Sequence, residues 1–141
     1  MNIENKASDL VSQITAHENW EDRYKTLIGL GKTLPEMPAE YKIEDNKVKG
    51  CQSQVWLFAE LDGDRIIFHA DSDAHIAKGI VALLVGVYSG STPSEILSFP
   101  ETFVENIGLK QHLSMSRANG LASMLKQIKL YALAYQAKLS Q

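Results

Sequence analysis

Residues 76–87 would form a helix that is apolar on almost every side. One face of it carries Ile76, Ile80, Leu83, Leu84 and Val87. A helix that is hydrophobic all round is stable only where other elements cover it, so the rest of the chain has to fold around this segment. Its longest purely apolar run is far shorter than the ~20 residues that span a bilayer. We therefore predict a central, buried helix in a folded domain, and no membrane partner.

Two further helices are predicted before the central one. Apolar residues recur at helical spacing from about Asn5 to His17. Asn19 is a good N-cap for a second helix, which stops before Pro35. The stretch 35–46 is polar and marked by prolines, so it indicates an irregular surface connection.

An alternation of period two over residues 54–70 predicts a β-hairpin. The apolar members of the first strand are Val55, Leu57, Ala59 and Leu61. Asp62-Gly63 is a turn signal, because both residues tolerate positive φ. The segment from Arg65 to Ala70 is predicted to return as the partner strand.

Capping patterns mark the remaining helices. Residues 71–73, Asp-Ser-Asp, are predicted to supply capping oxygens to the central helix. Thr92-Pro93-Ser94-Glu95 has the capping-box pattern of a short helix, and a final helix is predicted from about Ser116 to Ala137. This order predicts an α+β fold: a small antiparallel sheet of about three strands with helices packed on one face, in a single domain over residues 1–141.

The composition excludes several classes of partner and site. The chain has 141 residues and a net charge of −3, without a basic footprint, so we expect no nucleic-acid partner. The N-terminus has no basic segment that leads into an apolar stretch, so we expect no signal peptide and a cytoplasmic protein. The single cysteine excludes an intramolecular disulfide and a Cys-rich metal site.

Cys51 is the sharpest candidate for chemistry. A free cysteine is usually a small buried hydrophobe. Here Gly50 permits unusual backbone angles, and Gln52 and Ser53 are polar, which favours a half-exposed thiol on a loop. An unperturbed thiol is only about 3% thiolate at pH 7, so a nucleophilic role requires a nearby cation or helix N-terminus. Arg117 and the backbone N–H groups at the start of its helix are candidates, although an ordinary solvated arginine is the simpler account of Arg117.

Other constellations have simpler explanations. The four histidines suggest a Cys/His hydrolase, but none lies in a local signature. They are His17, His69, His75 and His112. Residues 69–75 contain two of them and two aspartates, but a helix cap explains the aspartates better, and we expect no metal. Gly29-Leu30-Gly31-Lys32 resembles part of a phosphate loop, yet it ends a helix and follows no strand.

The segment Gly50-Cys51-Gln52-Ser53-Gln54-Val55-Trp56 resembles the SufE family of sulfur-acceptor proteins, which also includes CsdE. Other blocks resemble the family in the expected order. They are Asn19–Tyr24, Leu30–Lys32 with Leu34-Pro35, Asp71–Ala74 with Lys78-Gly79, and Leu113-Ser114 with Ser116-Arg117 and Gly120-Leu121. The resemblance covers nearly the whole chain, and its most specific parts are the heptad around the cysteine and the Ser-Arg-x-x-Gly-Leu block.

This resemblance implies an α+β fold related to the IscU-type scaffold, and a function. Cys51 would accept persulfide sulfur from a pyridoxal-phosphate cysteine desulfurase of SufS or CsdA type and would stimulate that enzyme. The sulfur would pass to an iron–sulfur assembly scaffold of SufBCD type or to another acceptor. The pyridoxal phosphate would stay with the desulfurase, so no cofactor is expected in this chain. Alone, the protein would be a carrier, not an enzyme, and a monomer or a weak homodimer.

The resemblance also implies supporting roles in the cysteine loop or the docking face. The residues concerned are Gly50, Gln52, Ser53, Trp56, Asp73 and Arg117. Trp56 would help to shelter the persulfide, although a core tryptophan is the simpler account, and a helix cap explains Asp73 equally well. Two other functions stay open: an activator that docks on the desulfurase without carrying sulfur, and an independent Cys/His hydrolase or redox enzyme.

Overall fold

A computed structural model of the protein describes residues 2–141. The helices, in chain order, are α1 (Ile3–Thr15), α2 (Trp20–Lys32), α3 (His75–Tyr88), α4 (Pro93–Ser98), α5 (Thr102–Ile107), α6 (Leu109–His112) and α7 (Met115–Leu139). The strands are β1 (Val55–Asp62) and β2 (Arg65–Ser72), and the connection before them contains 3₁₀ turns at Ala39–Tyr41 and Glu44–Asn46. The predicted α+β architecture is therefore confirmed.

The two strands form an antiparallel hairpin whose register runs from the Val55–Ser72 pair to the Asp62–Arg65 pair. The turn is consequently Gly63-Asp64, one residue later than the predicted Asp62-Gly63, and Gly63 takes the required positive φ of 65°. Successive side chains of a strand point to opposite faces, so one face of the hairpin enters the core. The core-facing residues are Val55, Leu57, Ala59, Ile66, Phe68 and Ala70.

The sheet has two strands in the described part of the chain, so the prediction of about three strands is wrong. Each outer edge of the hairpin instead pairs with another segment of the chain at a single residue. Lys47 forms an isolated bridge with Trp56, and Ser91 forms one with Ile66. Neither neighbouring segment carries a run of alternating residues, and each turns away after one pair, so neither extends into a strand.

Helix α3 lies at the centre of the fold, as its all-round apolar character predicts. Eight of its residues are buried, and it packs against β2, α1, α2 and α7. Its closest neighbour is α2, where Gly31 faces Gly79. Because neither glycine has a side chain, the two helix backbones approach each other directly. No helix within residues 2–141 combines the length and the hydropathy needed to cross a bilayer.

Two of the predicted helix caps are present, and one is not. Asn19 caps α2, and Thr92 with Glu95 forms the capping box of α4. None of residues 71–73 is the N-cap of α3: β2 continues through Ser72, and the N-cap is Ala74, whose own side chain makes no capping hydrogen bond. The hydroxyl oxygen of Ser72 accepts a hydrogen bond from the backbone N–H of Ala74 at 3.2 Å, just before the helix begins. Pairing with β1 therefore takes precedence over the local capping pattern, and the carboxylate of Asp73 becomes available to another partner.

The connection before β1 lies on the outer face of the hairpin. The Tyr41 ring stacks on Phe58 with 4.3 Å between centroids. Lys42 pairs with Asp71 at 2.6 Å, which ties the connection to β2. These contacts position the segment that leads directly into the cysteine loop.

Candidate functional site

The cysteine lies in a short loop that leaves and re-enters the edge of the hairpin. The backbone N–H of Val48 donates to the carbonyl oxygen of Val55 at 2.8 Å, which closes residues 49–54 into a loop. The Lys47–Trp56 bridge continues this pairing by one position. The residues that flank the loop are therefore paired with each other at the start of β1.

The C-terminal base of the loop is fixed by the end of β2. The carboxylate oxygen Oδ1 of Asp73 accepts a hydrogen bond from the N–H of Gln54 at 3.0 Å. The hydroxyl of Ser72 donates to the carbonyl oxygen of Gln54 at 2.8 Å. Asp73 thus supports the loop through Gln54, and this contact, not a helix cap, is what its side chain makes.

Cys51 opens onto a cavity of about 90 Å³ between the loop, the start of α3 and the first turns of α7. Its lining residues are Cys51, Gln52, Ser53, Val55, Ala74, Ala77, Ile80, Ser116, Arg117, Gly120 and Met124. The buried members Val55, Ile80 and Met124 are apolar. The cavity therefore offers an apolar surface to the sulfur atom and polar groups around it.

The Cys51 side chain is half-buried and points at α7. Its Sγ–H donates to the carbonyl oxygen of Gly120 at 3.7 Å, a weak hydrogen bond that suits the thiol form. Burial raises the pKa of the Cys51 thiol. The sulfur therefore lies retracted against α7, in surroundings that favour the thiol over the thiolate.

Gly50 fits its place because it has no side chain. Its φ is +92°, in the region that favours glycine, and a Cβ there would lie 2.5 Å from the hydroxyl oxygen of Ser123 on α7. The loop thus touches α7 at two successive residues, Gly50 against Ser123 and Cys51 against Gly120. Helix α7 is the surface on which the retracted loop rests.

The structure brings together some of the predicted site residues and separates others. Gln52, Ser53 and Arg117 line the cavity with Cys51. Trp56 does not, because it follows Val55 by one residue and lies on the opposite face of β1. Its ring lies beneath the amino groups of Lys42 and Lys47, at 5.8 and 6.0 Å from the centroid. Trp56 is therefore neither a wall of the cavity nor a member of the core.

The predicted histidines take no part in this site. None of them is among the residues that line the cavity of Cys51. His69 instead contacts Glu60 across the hairpin at 3.0 Å, and His112 stacks on Trp20 at 4.0 Å between ring centroids. Within residues 2–141, no group of three or more His, Cys, Asp or Glu side chains is placed to hold a metal ion. The geometry gives no support to a Cys/His hydrolase.

For several residues that line the cavity, the sequence predicts no functional role. Ala77 and Ile80 are predicted only as positions of the buried helix, and Met124 only as a position of the last helix. Gly120 belongs to a motif that assigns it no function. A signal for Gly120 is nevertheless present in the sequence, since a glycine inside a predicted helix costs about 1 kcal/mol relative to alanine and is worth testing for a close packing contact.

A comparison with known families decides the classification. The model of the SufE family, described as an Fe-S metabolism associated domain, matches residues 8–132. The chain belongs to the SufE family. The match includes the cysteine loop, Asp73, Arg117 and Gly120, so the whole site lies inside the family domain.

Individual relatives agree with this classification. A SufE-like protein of Rhizobium meliloti (strain 1021) is 47% identical over 117 residues, which cover 79% of this chain and 84% of the relative. A SufE-like protein of Synechocystis sp. (strain PCC 6803) is 40% identical over 127 residues, 90% of this chain and 80% of the relative. The solution structure of a hypothetical protein from Thermus thermophilus superposes with a TM-score of 0.78 at 20% identity, covering 94% of this chain and 96% of that one. This structure shows a shared fold.

We expect the pH midpoint of iodoacetamide labelling of Cys51 to lie above that of the same cysteine in the urea-unfolded chain. The reagent consumes thiolate, and burial raises the pKa of the retracted thiol in this SufE-family protein. Arg117 is the only other titratable side chain among the described residues of the cavity wall, and its charge does not reverse the shift. Labelling rates measured by mass spectrometry across pH test this, and a midpoint at or below the unfolded reference would contradict it.

Proposed function

We propose that this protein is a sulfur acceptor that takes persulfide sulfur from a pyridoxal-phosphate cysteine desulfurase onto Cys51. It stimulates that enzyme and passes the sulfur to an iron–sulfur assembly scaffold. Membership of a family associated with Fe-S metabolism supports the general role. The pyridoxal phosphate belongs to the desulfurase, and we expect the exchange to take place in the reducing cytoplasm.

The observation that carries the proposal is the placement of Cys51 on a loop anchored at both ends. The Val48–Val55 pair and the Asp73–Gln54 hydrogen bond hold the two bases. Between these two bases, the Cys51 Sγ–H donates a hydrogen bond to the carbonyl oxygen of Gly120 on α7. A loop with fixed ends that rests on α7 through one weak hydrogen bond and the Gly50–Ser123 contact can extend its thiol towards a partner without disturbing the core.

The transfer is a thiol–persulfide exchange. The Cys51 thiolate attacks the terminal sulfur of the protonated persulfide on the desulfurase. A new S–S bond forms at Cys51, and the S–S bond of the desulfurase persulfide breaks. The electron pair of the broken bond leaves with the desulfurase cysteine as a thiolate, and the proton stays on the transferred sulfur. The reaction needs no oxidant, because both sides contain one persulfide and one thiolate.

The cavity suits the state after transfer. A persulfide is open to reduction and oxidation, so a carrier has to limit its contact with solvent. The apolar side chains of Val55, Ile80 and Met124 lie where a retracted sulfur would rest. Arg117 lies at the same cavity and can offer its guanidinium to an anionic persulfide. Retraction and extension of one loop therefore provide both storage and delivery.

Intact-mass measurement tests the proposal. The purified protein is incubated with a cysteine desulfurase and cysteine, and its mass is recorded before and after treatment with a thiol reductant. We expect a gain equal to one sulfur atom, removed by the reductant, because the persulfide S–S bond is reducible. A matched incubation without cysteine should give no gain.

The same experiment separates sulfur carriage from docking alone. If the desulfurase turns over faster in the presence of this protein but no sulfur mass is gained at any time point, the protein is an activator that carries nothing. If neither stimulation nor mass gain is seen with several desulfurases of the SufS and CsdA types, the proposed function is wrong.

A further inference from the structure

Gly120 occupies a position in α7 where a glycine is unfavourable. It lies inside the helix Met115–Leu139, five residues after its start, and it is buried. Alanine at an ordinary helical position is favoured over glycine by about 1 kcal/mol. Neither a positive φ nor a turn explains this glycine, because its backbone is helical. The surroundings of the missing side chain, in contrast, do offer a packing reason.

The space beside Gly120 is filled by Cys51. A Cβ built on Gly120 would lie 3.3 Å from the Cys51 Sγ, and 3.8 and 3.9 Å from its Cα and Cβ. The last two distances are ordinary van der Waals contacts, whereas the first is a tight contact. The carbonyl oxygen of Gly120 also accepts the Sγ–H at 3.7 Å. The sulfur atom therefore packs against the position from which any other side chain would project, and a Cβ there would push it away by a few tenths of an ångström.

We propose that Gly120 is the positioning residue for the Cys51 sulfur, and that its missing side chain forms the seat into which the sulfur retracts between transfers. The inference rests on the proposed function for its biological meaning, but the seat itself is a property of the free protein. Removing the seat displaces the sulfur outward and shifts the loop towards its extended state.

Of the two glycines at the contact between the loop and α7, Gly120 is the more informative one to substitute. Gly50 also touches α7, but its φ of +92° means that a substitution there strains the loop backbone regardless of space. Gly120 has helical backbone angles, so alanine adds only a methyl group directed at the sulfur. Gly29 in α2 provides the matched control, since a Cβ there would meet nothing within 4 Å.

The test compares Gly120→Ala and Gly29→Ala in iodoacetamide labelling of Cys51, without any desulfurase. We expect Gly120→Ala to label about fivefold faster than wild type at neutral pH, a change that corresponds to about 1 kcal/mol in the retraction equilibrium. Its labelling midpoint should also move towards that of the unfolded chain. Gly29→Ala should match wild type in both respects. Equal rates and equal midpoints in all three proteins would overturn the proposal.

Thermal unfolding of a mutant cycle gives a second, independent readout. In a Cys51→Ala background the sulfur is gone, so Gly120→Ala should raise the melting temperature by about as much as Gly29→Ala does. In the wild-type background the same change should give a smaller gain or a loss. Additive effects in the two backgrounds would overturn the proposal even if Gly120→Ala folded poorly. Because no sulfur donor is present, either result is independent of whether the protein carries sulfur.

Discussion

Replacing Cys51 with serine is expected to abolish sulfur loading and leave the fold intact. The hydroxyl of serine has no accessible anion at neutral pH, whereas the thiol can form the thiolate that attacks a persulfide. The chain has no second cysteine that could take over. Since the side chain is only half-buried and makes one weak hydrogen bond, the free energy of unfolding should change by less than about 1 kcal/mol.

The measurement is intact mass after incubation with a desulfurase and cysteine, beside a melting curve for the same preparation. Cys51→Ala is the matched second variant, because it removes the thiol without adding a hydroxyl. Both variants should show no sulfur gain and a melting temperature close to that of wild type. A reductant-labile sulfur adduct on either variant would show that the acceptor is another group.

Desulfurase turnover in the same incubations separates the two remaining functions. If transfer onto Cys51 is what relieves the enzyme of its persulfide, stimulation should fall with both variants. Stimulation that persists undiminished would assign activation to docking, with the loop serving only as a contact.

The elements with strong local signals could be predicted from the sequence. Asn19 and the Thr92–Glu95 box mark helix starts through oxygens that accept hydrogen bonds from nearby backbone N–H groups, and both caps are present. The central helix is predictable because an all-round apolar segment has to be buried. Helices α5 and α6 are not, since segments of 6 and 4 residues are too short to show a helical period and depend on packing.

The site was predictable only in part, because tertiary packing assembles it. The loop character of Cys51 followed from its glycine and polar neighbours. The cavity could not be derived, since its walls come from three segments that are distant in the chain, around residues 51–55, 74–80 and 116–124. Asp73 illustrates the difficulty: a carboxylate before a helix is typical of a cap, and only the pairing of β2 through Ser72 directs it to Gln54 instead.

Replacing Gly79 with alanine is expected to cause the largest loss of stability of any change considered for this protein. A Cβ on Gly79 would lie 2.2 Å from the carbonyl oxygen of Leu27 and 2.6 Å from its carbonyl carbon. Both atoms are backbone, so no side chain can rotate away, and α2 and α3 have to separate. Overpacking of a core costs about 1–3 kcal/mol and more where the neighbours cannot yield, so we expect a cost of roughly 3 kcal/mol or more.

This loss should appear as a fall in the melting temperature of about 10 °C, measured by circular dichroism or calorimetry. Gly29→Ala is the control within the partner helix, and it should leave the melting temperature unchanged or raise it, because alanine favours the helix by about 1 kcal/mol. A shift of the same sign and size in both variants would mean that helix propensity, not the α2–α3 contact, decides the outcome. If Gly79→Ala melts like wild type, the direct backbone contact between α2 and α3 is not a feature of the folded protein, and the position of α3 beside the Cys51 cavity loses its main support.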